Sequence, residues 1–109
     1  MTNQVITKDI KDVALDKTPL GGQARMLVNN PHLRLVNLQI KAGEQVLAHT
    51  APVEVVFIVL AGSGLVQIEE KVYPISAGQM LICPPDCQRS IQAGPEEDLS
   101  LLVVRTPNL

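Results

Sequence analysis

Few side chains in this sequence can do chemistry, and the most suggestive is a histidine. His49 follows Gly43 after five intervening residues, and Gly62 closes the same stretch, "GEQVLAHTAPVEVVFIVLAGSG", short of its far end. An imidazole placed on a strand between two glycine turns is a candidate nitrogen donor to a metal. A transition metal needs several donors converging in one shell, and one histidine does not make such a site. The nearest acid, Glu54, adjoins Val55. Strand side chains alternate between faces, so Glu54 points away from an inward Val55 unless a bulge shifts the register. Cys83 and Cys87 flank Pro84-Pro85-Asp86, and no obvious third or fourth ligand accompanies them. His32, directly after Pro31, reads as a turn residue.

Two other groups carry reactive or binding chemistry. Arg89 is a permanent cation whose planar guanidinium grips a carboxylate or phosphate through two hydrogen bonds at once. Tyr73, the single tyrosine, is a candidate general acid with His49 as base. The alternation of "KVYPIS" does not decide which face Tyr73 takes, and no acid stands at a spacing that orients His49.

These groups need a scaffold, and the sequence describes one. Beyond the first twenty residues, Gly, Pro or Asn recurs every eight to twelve positions, and the segments between are short and rich in Val, Ile and Leu. That pattern predicts an all-β sandwich or barrel. Strands are expected near Gln23–Val28, Leu33–Ile40, Val46–Thr50, Glu54–Leu60, Leu65–Glu69, Val72–Ile75, Met80–Cys83, Arg89–Gln92 and Leu99–Arg105. In "HLRLVNLQI" Leu33 and Leu35 take one face, and Val36, Leu38 and Ile40 the other. "VFIVL" and "LSLLVV" are apolar on both faces, which calls for a second layer outside the barrel. The simplest supplier is the sheet of a second copy, so a homodimer is expected. Residues 1–22 form an N-terminal segment, an amphipathic turn, strand or arm at a dimer interface, and residues 23–109 form the barrel. The acidic stretch Gly94 to Asp98 reads as a solvated turn.

Composition narrows the function classes. The 109 residues amount to one domain, and 46% hydrophobic residues suffice to fill its core. A net charge of −2, with one Phe, one Tyr and no Trp, leaves neither a basic footprint for phosphate backbones nor stacking platforms for bases, so nucleic acid is not an expected partner. The longest apolar run, Val55 to Ala61, is seven residues, against the roughly 20 a membrane helix needs. The polar N-terminus lacks the apolar segment of a signal peptide, so a cytoplasmic protein with reduced thiols is expected.

The glycine and histidine spacing resembles the cupin family, whose two motifs are written G(X)5HXH(X)3-4E(X)6G and G(X)5PXG(X)2H(X)3N. Gly43, His49 and Gly62 match the first, while Gly78 and Pro84 match the second. The resemblance covers roughly residues 34 to 105 and implies a single-domain jelly-roll β-barrel, also called a double-stranded β-helix. In metal-holding cupins two histidines and a glutamate of the first motif and a histidine of the second form the inner shell. In this chain those positions carry His49, Ala51, Val55 and Arg89, so His49 is the sole retained ligand position and no metal cofactor is expected. The motif's glycine after the prolines is Asp86 here and its final asparagine is Ala93.

If the parity of the family holds, His49, Ala51, Val55, Phe57 and Arg89 line one end of the lumen, a mostly apolar pocket with one imidazole and one guanidinium. Arg89 then either receives the carboxylate or phosphate of a small ligand or reaches out to Glu54 or another surface acid. His49 either serves a ligand or is satisfied by a backbone carbonyl or Gln88. The leading expectation is a metal-free binding or structural module for a small anionic or apolar metabolite. Its alternatives are a divergent enzyme using His49, either an isomerase or epimerase or a metal-dependent oxygenase-like one, and a subunit that docks on another protein through its sheet.

Overall fold

The structure, a computed structural model, describes residues 4–106. After a 3₁₀ turn, Ile10–Asp12, come β1 (Asp16–Lys17), β2 (Gln23–Asn29), β3 (Arg34–Ile40), β4 (Gln45–His49), β5 (Val55–Ala61), β6 (Ser63–Ile68), β7 (Lys71–Ser76), β8 (Met80–Cys83), β9 (Arg89–Ala93) and β10 (Leu99–Arg105). They build two antiparallel sheets, ordered β1-β2-β3-β10-β5-β8 and β4-β9-β6-β7, the two-layer jelly roll expected from the short apolar segments. Among the described residues no helix is long and apolar enough to cross a membrane.

Alternation makes the core. Val55, Phe57 and Val59 of β5, Leu99 and Leu101 of β10, and Leu38 and Ile40 of β3 point inward and meet Val66 and Ile91 from the facing sheet. Each fully buried aliphatic or aromatic side chain contributes about 1.5–3 kcal/mol, which is why strands this short hold together. On β9 the same alternation buries Arg89, Ile91 and Ala93 and leaves Ser90 and Gln92 on the other side. Parity therefore commits Arg89 to the interior along with its apolar neighbours.

The nine expected strands are present, with shifted ends. The clearest shift is at β6, which begins at Ser63 instead of Leu65 because Gly64 pairs with both Ile75 and Ala93. A glycine lets adjacent backbones approach here, since a Cβ on Gly64 would meet the Gln92 carbonyl oxygen. The N-terminal segment contains both a 3₁₀ turn and a two-residue strand, β1, which extends the six-stranded sheet beside β2.

After β1 the chain turns through Thr18 to Gly22, and the Leu47 N–H of β4 donates to the Leu20 carbonyl at 2.8 Å. This turn stitches the edge of one sheet to the edge of the other. The segment thus forms part of the barrel wall, a role its charged sequence does not reveal.

Candidate functional site

Among the described residues, two polar side chains are buried, and the fold treats them in opposite ways. Asn37, on β3, accepts from Arg25 Nη1 at 3.0 Å and donates to Ser100 Oγ at 3.2 Å and to the Leu101 carbonyl at 3.0 Å. Arg25 in turn donates through Nε to the Val13 carbonyl at 3.0 Å, tying the N-terminal segment down. Asn37 is a satisfied structural knot, as buried amides generally are. Arg89 is only 5% exposed, and its Nε has no hydrogen-bond partner. The ion pair found among the described residues is Lys11–Asp9, far from it in sequence and on the surface.

Arg89 is therefore a buried cation without an acid. Its guanidinium lies 5.8 Å from the centroid of the Phe57 ring, near the outer limit of a cation–π contact, which contributes about 0.5–2 kcal/mol. That is less than the several kcal/mol that removing an ion from water costs. The guanidinium shows the imbalance: burial pushes its pKa below the ordinary arginine value, the Cys83 thiol opposes this in part, and the charge of nearby Arg105 adds to the fall. Of the two fates the sequence left open for Arg89, the structure places it in the lumen; Glu54 is exposed, just before β5.

His49 reaches the same place by a different route. Along β4, Val46 pairs with Ile91 and His49 with Arg89, three residues on one strand against two on the other. This bulge inserts one residue and turns His49 to the face that Val46 occupies. His49 Nδ1 donates to the Leu47 carbonyl at 3.1 Å. A carbonyl can only accept, so in the neutral ring the proton sits on Nδ1 and Nε2 is left to face the cavity or solvent.

His49, Phe57 and Arg89 share the wall of a cavity of about 500 Å³ between the two sheets. Its apolar wall includes Leu20, Val36, Leu38 and Val103. Two cations that the sequence reading did not assign to the site, Arg34 and Arg105, complete the lining, and no acidic side chain belongs to it. Both were legible by parity, because Arg34 precedes Val36 by two residues and Arg105 follows Val103 by two.

Ala51 and Val55, expected on this wall, are buried core residues outside the cavity lining. Both side chains are short and enclosed by the hydrophobic core. Tyr73 lies opposite Val66 on β7, partly exposed, and is also outside the lining. A His49–Tyr73 acid–base pair is thus not assembled around this cavity. Cys83 is fully buried and packs in the core; burial raises its thiol pKa, offset in part by the charge of Arg89. A larger groove of about 760 Å³ at the opposite end of the four-stranded sheet has no titratable side chain in its lining.

The donor set does not fit a divalent transition metal. His49 contributes one nitrogen, its neighbour on the paired strand is a cation that repels a second one, and among the described residues no three His, Cys, Asp or Glu side chains gather.

Comparison with known proteins places this geometry in context. The family model for the cupin domain matches residues 36–105. No curated protein matches the sequence. Among solved structures, an RmlC-like cupin from Shewanella frigidimarina superposes with a TM-score of 0.83 at 18% identity, covering 99% of this chain and 96% of that one. The polyketide cyclase RemF from Streptomyces resistomycificus gives 0.84 at 17% identity, over 96% and 83% of the two chains. A predicted oxalate decarboxylase from Thermotoga maritima gives 0.82 at 17% identity, over 94% and 100%. At such identities the likeness extends to the fold alone, and the functions named for these proteins differ from one another.

Proposed function

The chain belongs to the cupin family, and from the donors it lacks and the cation it buries we propose that it is a cytoplasmic, metal-free member that binds a small anionic metabolite. The reading rests on one observation: Arg89 is buried in an apolar cavity, with an unpartnered Nε and no acid in the lining. A fold does not retain such a group for stability, since an apolar residue of similar size is worth more there. An anion entering the cavity supplies what the protein withholds, namely acceptors for the guanidinium and a charge to offset its own.

The test is thermal unfolding of the untagged protein against a panel of small carboxylates and inorganic phosphate. At least one anion is expected to raise the melting temperature in a saturable way, because ligand held a hundredfold above its Kd stabilises by about 2.7 kcal/mol. The rise disappears in Arg89→Gln. A panel that leaves wild type unmoved sinks the reading.

The same proposal includes a homodimer formed through the outer face of the six-stranded sheet. Leu60, Met80 and Ile82 are 45%, 59% and 49% exposed, and half-buried Val56, Ile58, Leu102 and Val104 lie beside them on that face. Exposed aliphatic clusters of this kind favour burial against a like surface. Light scattering is expected to give twice the chain mass for wild type and the single chain mass for Met80→Lys combined with Ile82→Lys. A monomeric wild type removes the dimer from the proposal and leaves anion binding untouched.

A further inference from the structure

Arg34 and Arg105 stand directly opposite each other in the β3–β10 register. Both are half-buried, and both line the cavity that holds Arg89 and His49. Like charges placed opposite on neighbouring strands repel, and nothing in the lining compensates them. On the opposite wall His49 stands directly across from Arg89 on β4 and β9. Two cross-strand basic pairs therefore converge on one cavity from its two sheets, with no carboxylate between them.

The pairs are separated by apolar surface. Phe57, which lies against Arg89, pairs with Val103, and Arg105 is two residues further along β10, a distance of about 7 Å along the strand. Val36, opposite Val103, continues the same apolar strip toward Arg34. A ligand with one charged end would engage one pair and leave the other without an acceptor in a drier cavity than before. A ligand with two charges at separate ends satisfies both.

Resting on the anion-binding reading, we propose that Arg34 and Arg105 form a second anion subsite, and that the cavity takes a small organic dicarboxylate with an apolar body. One carboxylate lies against Arg89 and His49, the other between Arg34 and Arg105, and the carbon chain lies along Val36, Phe57 and Val103. This assigns the two arginines a role in selecting the number and spacing of charges on the ligand.

The experiment compares carbon-matched probes on the full chain by calorimetry: straight-chain dicarboxylates from malonate to suberate against the monocarboxylates of equal length. One or more dicarboxylates are expected to bind roughly tenfold more tightly than their monocarboxylate partners, the value of one additional charge-assisted contact. Arg34→Gln and Arg105→Gln, tested singly, lower the dicarboxylate affinity more than the monocarboxylate affinity, so that the roughly tenfold ratio between them shrinks toward one. The wild-type comparison needs no variant, so a misfolded variant does not rescue the idea. If dicarboxylates bind no more tightly than monocarboxylates while both depend on Arg89, the second subsite is wrong and the anion-binding reading stands. If inorganic phosphate outcompetes every dicarboxylate through all three arginines, a single compact anion replaces the two-ended ligand and the inference fails. If no probe binds through Arg89, both readings fall together.

Discussion

Replacing Arg89 with methionine is expected to make the free protein more stable and deaf to anions at once. The wild-type side chain holds a charge in a cavity with no carboxylate, an unpartnered Nε, and only a distant ring and the Cys83 thiol to offset it. Methionine is shorter and does not reach as far into the cavity, but it is flexible, packs as an apolar chain and has no charge to desolvate. Exchanging buried ionic groups for well-packed apolar ones commonly stabilises by about 1–4 kcal/mol, and for a domain of this size each kcal/mol moves the melting temperature by roughly 4 °C or more. Urea unfolding of the two proteins at equal concentration, without added anion, measures the difference, and an excess of the bound anion should narrow or reverse it. A core residue kept for packing behaves in the opposite way: its removal destabilises. A variant that loses several kcal/mol would mean that Arg89 braces the barrel, and the argument from its unpaired charge would collapse.

The second large effect is at Gly62, where alanine is expected to lower stability by more than about 4 kcal/mol, into the range reserved for named structural faults. Gly62 has φ of +83°, a conformation that L side chains rarely adopt. A methyl group built there also overlaps the Asp98 carbonyl oxygen and crowds the backbone of Leu99 at the start of β10. The neighbour cannot retreat, because Leu99 is fully buried and β10 is hydrogen-bonded to β3 and β5 on its two sides. Strain at the dihedral costs about 1–3 kcal/mol, and the overlap with rigid backbone adds to it. Gly78 supplies the control: its φ is +88°, but a Cβ added there meets nothing within 4 Å. Gly78→Ala should therefore show the dihedral cost alone. Equal losses at the two positions, measured by denaturant unfolding, would show that close approach to β10 plays no part.

The two glycines also illustrate what the linear pattern can carry. The spacing of Gly43, Gly62 and Gly78 marks chain reversals, and all three adopt positive φ. What the spacing does not show is that one reversal is pressed against a strand nearly forty residues away while another opens to solvent. Strand existence was legible for the same reason: alternation and length are properties of consecutive residues. The ends of β6 were not, because Gly64 becomes a strand residue only through partners on β7 and β9.

The candidate site divides along the same line. Arg89, Arg34 and Arg105 each share parity with buried aliphatic residues on their own strands, yet the sequence left Arg89 open between lumen and surface and singled out neither of the other two. His49 is different. It lies three residues from the inward Val46, which by simple alternation sends it outward, and only the bulge against β9 brings it back. Ala51 and Val55 share the lumen's burial without reaching its open volume, a matter of side-chain length and of where the cavity lies. The contribution of Thr18 and Leu20 to the wall depends on the turn that joins the two sheets, which neither strand announces on its own.

By itself, then, the sequence determined the barrel and its reversals, because periodicity and residue identity are local quantities, and through the family resemblance it implied the loss of the metal-binding side chains. The tertiary structure alone decided that Arg89 Nε has no hydrogen-bond partner, that a bulge is what turns His49 to the face the resemblance implied, and that Arg34 and Arg105 face the same cavity. Those outcomes depend on register between strands far apart in the chain and on which acids fail to arrive, and no single segment contains that information.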